Sequence, residues 1–170
     1  MAPLRRSVIV SILFTLFGGP GFILVYLPYW ITRFRVPVGQ PLWQTLAAGV
    51  LIFAGLIPLL ESIQRFIRKG RGTLMPGLPT EHLMITGLNR YARNPMYLGV
   101  LTVVIGEAAL FHSQSMLECA VVVWFGFNLF ILLYEEPTLL RRYGAEYLRY
   151  CDQVHRWWPT LSRNGPREQK

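Results

Sequence analysis

The stretch from Val36 to Leu60, VPVGQPLWQTLAAGVLIFAGLIPLL, contains no charged residue. The stretch before it, from Ser7 to Thr32, is also free of charge. A run of about 20 apolar residues crosses the hydrocarbon core of a bilayer as a helix, and a soluble domain rarely carries two such runs. The two stretches therefore predict membrane-spanning helices, which we call spans one and two.

Two further apolar runs follow them, Asn94 to Phe111 and Met116 to Tyr134, with Glu107 and Glu118 as their acidic interruptions. The short connection between these two runs leaves room only for a tight turn, so they predict an antiparallel helical hairpin. The composition agrees, since 52% of the residues are hydrophobic and only 15% are charged, against about 25% in soluble domains. We predict an all-α integral membrane helical bundle of about four transmembrane helices plus a C-terminal interfacial helix.

The net charge is +8, and most of the basic residues lie on one side of the predicted membrane. Arg33 and Arg35 are the basic residues between spans one and two. The other basic residues precede span one, lie between spans two and three, or follow span four: Arg5, Arg6, Arg65, Arg68, Lys69, Arg71, Arg90, Arg93, Arg141, Arg142, Arg149, Arg156, Arg163, Arg167 and Lys170. The positive-inside rule then places both termini and the central loop in the cytoplasm of a multi-pass protein, which we expect in a prokaryotic inner membrane. Topology and attraction to anionic membrane lipid account for the basic surplus, so no nucleic acid is expected as a partner.

The predicted organisation is a single membrane domain with four parts. Residues 1–68 hold two spans, 69–94 a cytoplasmic loop, 95–134 the two-span hairpin and 135–170 a cytoplasmic tail that covers a pocket. Span one contains Gly18-Gly-Pro-Gly21, which predicts either a kinked span or a re-entrant helix whose opening admits substrate. No small-residue cleavage pattern ends span one, so we expect it to be retained rather than removed as a signal peptide.

The loop before span three ends in a polar sequence, GLNRYARNPMYLG, from Gly87 to Gly99. Asn94 and Pro95 have a structural explanation, because asparagine caps helix starts and proline suits the first helical position. That explanation leaves out Arg90, Arg93 and Tyr97 around the same helix start. A helix N-terminus also offers free N–H groups to an oxygen of a ligand. The cluster therefore predicts a binding site.

Glu135 and Glu136 lie at the end of span four, at the same end of the hairpin as this loop. Adjacent carboxylates at a membrane boundary repel each other and are costly to desolvate. Their interaction with a helix dipole would return only about 0.3–1 kcal/mol. An ammonium or sulfonium group of a ligand would use them better, so we predict that both polar clusters face one pocket.

Pro137 is predicted to start a tail helix that runs to about Cys151. Its apolar residues fall near one face: Leu139, Leu140, Tyr143, Tyr147, Tyr150 and Cys151. This interfacial helix, followed by Trp157-Trp158-Pro159, either anchors the tail at the membrane surface or forms a lid over the pocket. The cysteines and histidines have no metal-ligand spacing, so no metal is expected.

Several motifs together resemble one family. In chain order these motifs are Thr86-Gly87, Arg93-Asn94-Pro95-Met96-Tyr97-Leu98-Gly99, Glu135-Glu136, Tyr143-Gly144-Ala145-Glu146-Tyr147-Leu148-Arg149-Tyr150 and Pro159. Together they are similar to the isoprenylcysteine carboxyl methyltransferases and the related membrane phospholipid methyltransferases. The resemblance covers Gly77 to Pro159. It implies methyl transfer from S-adenosyl-L-methionine at the cytoplasmic membrane face.

The resemblance also implies a set of cofactor-binding residues: His82, Leu83 and Met84 on the adenosyl side, then Arg93, Asn94, Pro95, Met96 and Tyr97, with Glu135 at the methionyl end and Glu136 beside it. It assigns no catalytic base. These carboxyl methyltransferases commonly have His where this chain has Asn94, and an Arg where it has Ile131. The departures argue against a prenylcysteine carboxylate, and the expected acceptor is a lipophilic or small molecule with a carboxylate, thiol or amine, membrane lipids included.

Two other classes stay open. A membrane reductase that uses NADPH could place Arg90, Arg93 and Arg156 on cofactor phosphates, although Glu135 and Glu136 would be poor neighbours for them. A non-catalytic membrane subunit or small transporter would leave both polar clusters unexplained.

Overall fold

The computed structural model describes the backbone of residues 19–69, 83, 85 and 87–160, and these residues contain helices and loops but no strand. We number the helices α1 (Phe22–Thr32), α2 (Leu42–Lys69), α3 (Pro95–Leu110), α4 (Gln114–Phe130), α5 (Glu136–Tyr143) and α6 (Ala145–Gln153). A 3₁₀ turn, Gly87–Arg90, precedes α3. The first part of α1, Phe22–Tyr26, is π-helical, and a second π-helical turn, Ile131–Glu135, joins α4 to α5. The all-α fold class is confirmed for this part of the chain.

Two of the described helices are long and apolar enough to cross a membrane, Leu42–Gln64 and Gln114–Tyr143. The helices α1 and α3 are apolar but shorter, so the count of four spans stays a prediction. Along α2, a stripe of exposed apolar side chains recurs at helical spacing and includes Val50, Phe53 and Ile57, each about two-thirds exposed or more (68%, 73% and 65%). Such a face fits contact with lipid.

The second helix begins six residues later than the uncharged stretch suggested, at Leu42 instead of Val36. Gly39 has a φ of 87° and lies between Pro37 and Pro41, so this segment forms a turn and not a helix. Beyond Leu60 the helix continues to Lys69.

The helices α2 and α3 pack antiparallel and very closely. A Cβ atom on Gly99 would lie 2.6 Å from the carbonyl oxygen of Gly55, and one on Gly106 would lie 2.8 Å from the Ile52 side chain. Small residues allow this backbone approach, which is a common way for membrane helices to associate. The third helix is consequently the buried centre of the bundle, and its Val100 and Val104 are at most 1% exposed.

The helices α3 and α4 form the predicted antiparallel hairpin. Ser113 caps α4 by accepting a hydrogen bond from the backbone N–H of Met116 at 3.3 Å. Beside this turn, the Gln40 side chain donates to the Leu110 carbonyl at 3.0 Å, and Gln44 Nε2 lies 2.9 Å from His112 Nε2. We call this contact between Gln40, Gln44 and His112 the His112 end.

The prediction of one continuous tail helix from Pro137 to about Cys151 is wrong. The helical path of α4 runs through the π-helical turn into α5 without interruption, so no helix end separates hairpin from tail at residue 134. The helix then breaks at Gly144, whose φ of 52° and ψ of −125° are disfavoured for residues with a Cβ atom. A second helix, α6, starts immediately afterwards.

The aromatic side chains of α6 turn towards the loop that precedes α3. Tyr147, Tyr150 and Val154 are buried, and Leu83 and Ile85 pack against them. The apolar face of α6 therefore packs on the loop.

Some predictions fall outside the described residues. They concern the first part of span one up to Gly18, most of the predicted loop (residues 70–82, which include His82, together with Met84 and Thr86), and the chain after Thr160. The described part of span one starts at Gly19, whose carbonyl accepts hydrogen bonds from the N–H groups of Phe22 and Ile23 at the start of α1.

Candidate functional site

Tyr97 and Glu135 come together across the hairpin. Tyr97 lies in the first turn of α3, and its hydroxyl donates to Glu135 Oε2 at 3.1 Å. Its ring stacks on Phe127 of α4 with 4.6 Å between centroids, which fixes the direction of the hydroxyl. The predicted meeting of the two polar clusters is therefore present in the structure.

Glu136, the next residue, points to a different set of partners. Arg156 holds its carboxylate with two hydrogen bonds, Nε to Oε1 at 2.9 Å and Nη2 to Oε2 at 2.8 Å. Arg93 Nη1 lies 3.3 Å from the same Oε1. Paired donors on one carboxylate make this a strong ion contact, because they combine charge with a fixed geometry.

The two carboxylates diverge where the chain passes from the π-helical turn into α5. Glu135 is the last residue of the π-helical turn and Glu136 the first of α5. Single π-helical turns inside helices are rare and occur often at functional sites.

Arg93 joins three elements. Besides Glu136, its Nη1 donates to Cys151 Sγ on α6 at 2.7 Å, and its backbone N–H donates to the His155 carbonyl at 3.0 Å. Among the described residues, its buried Nε has no hydrogen-bond partner. Arg93 therefore links the loop, the tail helix and the segment that follows it.

That following segment, residues 155–160, lies across the site, and we call it the C-terminal strap. The N–H of Thr160 donates to the Tyr91 carbonyl at 2.7 Å. The indole N–H of Trp157 donates to Asn128 Oδ1 on α4 at 3.1 Å. The strap is thus tied to the loop on one side and to the hairpin on the other.

Tyr150 also secures the tail to the loop. Its hydroxyl donates to the Asn89 carbonyl at 2.6 Å. Burial raises the pKa of the Tyr150 phenol well above its ordinary value, so the group stays protonated and keeps donating. The same cause raises the pKa of Tyr147.

The remaining predicted site residues lie at the helix start, in the bundle core, against α6 or outside the described residues. Asn94 and Pro95 stand at the N-cap and first position of α3 as expected, but the Asn94 side chain makes no capping hydrogen bond and is buried instead. Met96 packs against the bundle core, and Leu83 against the buried side chains of α6. His82 and Met84 lie outside the described residues.

Sequence reasoning missed the contacts made by Arg156, Asn128 and Trp157. Asn128 carried a usable signal, because a lone amide inside an apolar span needs a polar partner. Arg156 was assigned to cofactor phosphates in the reductase alternative, but its guanidinium is engaged by Glu136.

The two carboxylates differ in their cationic partners. Among the side chains that the structure describes, Arg93 and Arg156 form ion pairs with Glu136, and no cation does so with Glu135. A partly buried carboxylate that accepts a hydrogen bond from a neutral phenol and lies next to a second carboxylate favours a cationic ligand group. Within the same described part, no group of three or more His, Cys, Asp or Glu side chains could hold a metal ion.

The comparisons with known proteins give one match. The family model described as phospholipid methyltransferase matches residues 43–146, which is more than half of the chain. This range contains Arg93, Tyr97, Glu135 and Glu136 and ends before the strap. No curated protein and no solved structure matches.

Proposed function

Because the chain belongs to the phospholipid methyltransferase family, we propose that it transfers methyl groups from S-adenosyl-L-methionine at the cytoplasmic face of a membrane. The family is one of methyltransferases, and the two long apolar helices fit a membrane protein. The observation that carries the proposal is the hydrogen bond between Tyr97 and Glu135 beside the neutralised Glu136.

The donor set suits this cofactor. S-adenosyl-L-methionine carries an ammonium group and a sulfonium, and Glu135 is a carboxylate without a cationic partner among the described side chains. Tyr97 holds Glu135 Oε2 and thereby orients the other carboxylate oxygen. Glu135 would bind the methionyl end, as the resemblance implies, and the loop around Leu83 would line the adenosyl side.

When bound, the cofactor supplies an electrophilic methyl group on a sulfonium, which an acceptor lone pair takes as the sulfur–carbon bond breaks. The work of the protein is to bind, align and exclude water. Alignment alone is worth up to about 7–11 kcal/mol in well-organised cases. No acid–base pair is needed when the acceptor is a carboxylate, a thiolate or a neutral amine, so we assign no catalytic base.

The surroundings of the site support a lipophilic or small acceptor. The outward face of the fourth helix and of the π-helical turn carries exposed apolar side chains, among them Leu129 at 43% and Leu133 at 75% exposure. A membrane lipid or another acceptor with an apolar chain can approach Glu135 along this face. The site therefore combines an apolar side with a polar loop, as a reaction between a lipid and a water-soluble cofactor requires.

The reductase alternative loses its main support. Its phosphates need free basic side chains, and of the three arginines that were considered for them, Arg93 and Arg156 are paired with Glu136, which leaves Arg90. A non-catalytic subunit would have no use for partly buried charges that are costly to hold at a membrane boundary.

The test is a methyl-transfer assay on the purified protein in lipid nanodiscs, with radiolabelled S-adenosyl-L-methionine and a membrane lipid extract supplemented with thiol, amine and fatty-acid acceptors. We expect label in an extracted product, and its loss in Glu135→Gln. Glu146→Gln is the matched control, since Glu146 is an exposed carboxylate on α6. Equal product from native protein and Glu135→Gln would contradict the proposal.

A further inference from the structure

Two consecutive glutamates of this site have opposite electrostatic surroundings. Glu136 meets two guanidinium groups at 3.3 Å or less, and Glu135 meets the neutral hydroxyl of Tyr97 at 3.1 Å. The family motif alone does not distinguish the roles of the two carboxylates, whereas these distances to their partners do.

The contacts of Glu136 are also the contacts that close the C-terminal strap. Arg156 belongs to the strap, and the backbone of Arg93 binds the strap through the His155 carbonyl. The carboxylate of Glu136 thus lies between the two arginines and connects the start of α5 with both the loop and the strap. Its oxygens are already used by protein donors.

Counting formal charges, Glu135, Glu136, Arg93 and Arg156 sum to zero. Removal of the Arg156 charge would make that sum more negative by one unit, and removal of the Glu136 charge would make it more positive by one unit. Partly buried charges are screened less than exposed ones, so such a change would be felt at a neighbouring binding site.

We propose that Arg156 is a positioning residue that neutralises Glu136, so that the site presents the single carboxylate of Glu135 to the methyl donor; this inference rests on the proposed function. It gives Glu135 contact with the donor and gives Glu136 a role that is exerted through the two arginines. It also assigns to the strap, which lies beyond the region matched by the family model, a part in setting the charge of the site.

The sign of the effect separates this role from a purely structural one. S-adenosyl-L-methionine carries a positive sulfonium that S-adenosylhomocysteine lacks, while the two share the rest of the binding groups. Arg156→Gln leaves an extra negative charge and should favour the sulfonium over the thioether. Glu136→Gln leaves an extra positive charge and should do the reverse. A loss of structure would weaken both ligands alike.

The experiment is isothermal calorimetry of the full chain in lipid nanodiscs with both ligands, at low salt. We expect the ratio of the Kd for S-adenosyl-L-methionine to that for S-adenosylhomocysteine to fall about threefold to tenfold in Arg156→Gln and to rise by a similar factor in Glu136→Gln. The double variant Arg156→Gln/Glu136→Gln and the charge-conserving Arg156→Lys should both return the ratio to within about twofold of the native value, because they restore the net charge of the site. Arg149→Gln, an exposed arginine on α6, is the control for the general loss of one positive charge.

The outcomes are distinct. If the native protein binds both ligands and the single variants change the two affinities in equal proportion, the inference is overturned and the proposed function stands. If Glu136→Gln abolishes binding of both ligands as Glu135→Gln does, Glu136 contacts the donor directly and the inference is again overturned. If the native protein binds neither ligand, the proposed function fails, and the inference fails with it.

Discussion

The two ends of α3 show opposite ways to hold polar residues at the end of an apolar hairpin. At the His112 end, neutral amides of Gln40 and Gln44 meet an imidazole and a backbone carbonyl. At the opposite end, which we call the Tyr97 end, Tyr97 meets Glu135, and the guanidinium groups of Arg93 and Arg156 meet Glu136, all in partly buried positions.

The difference separates a structural contact from a functional one. Neutral hydrogen bonds are sufficient to fasten one loop to the next, at about 0.5–1.5 kcal/mol each. Charges held away from water are costly, and a protein gains no stability from a buried ion pair that an apolar contact would not supply. The Tyr97 end carries that cost, which the proposed binding of a cationic methyl donor would explain.

Glu107 provides a useful contrast within the same helix. It lies on the half of α3 near His112, and its Oε2 is buried without a hydrogen-bond partner among the described residues. It belongs to neither contact, so it tests whether a buried carboxyl by itself affects ligand binding.

The largest expected effect separates Glu135 from Glu107. Glu135→Gln should weaken binding of S-adenosylhomocysteine by about 1.5–3 kcal/mol, since it removes a charged partner of the ligand ammonium. Glu107→Gln should leave the affinity unchanged. Calorimetry of both variants measures this, and equal losses would show that the Tyr97 end has no special role.

The packing that positions the Tyr97 end gives the next effect. Gly99→Ala puts a Cβ atom 2.6 Å from the Gly55 carbonyl oxygen, so it should lower the free energy of unfolding by about 1–3 kcal/mol. Gly126→Ala is the matched control, because nothing lies within 4 Å of its added Cβ atom. Denaturation in detergent compares them, and an equally stable Gly99→Ala would refute the close approach of α2 and α3.

A smaller effect comes from the Tyr97 hydroxyl. Tyr97→Phe keeps the stacking on Phe127 and removes the hydrogen bond to Glu135, so donor affinity should fall by about 0.5–1.5 kcal/mol. Tyr97→Ala removes both contacts and should cost more. Unchanged cofactor affinity and turnover in Tyr97→Ala would count against the site.

The smallest effect is expected at the His112 end. Gln44→Ala removes a neutral hydrogen bond to His112 and should reduce stability by no more than about 1 kcal/mol. Donor affinity should stay at the native value. A Gln44→Ala variant that binds the donor more weakly would show that the two ends are coupled.

The sequence predicted the hairpin well because its ends are marked by strong signals. The third apolar run was placed at Asn94 to Phe111, and the helix is found at Pro95–Leu110, since proline starts it and the His112–Ser113 turn stops it. The antiparallel pairing of the two helices was enough to bring Tyr97 and Glu135 to one place.

The parts that were not predicted depend on conformation or on long-range pairing. Gly144 lies inside a helical pattern, and its identity alone does not reveal that it leaves the helical region. Asn94 has the residue type of a cap, but its side chain is buried instead of bonding to the helix start. The pairing of Arg156 with Glu136 depends on how the strap crosses the site, which the spacing of residues does not specify.

The central claim is that Tyr97 and Glu135 form the binding site of a cationic methyl donor. Its most direct test is calorimetry of the purified native protein with S-adenosylhomocysteine and, separately, with NADPH. The account predicts saturable binding of S-adenosylhomocysteine that Glu135→Gln weakens, and no binding of NADPH. Binding of NADPH alone would contradict it.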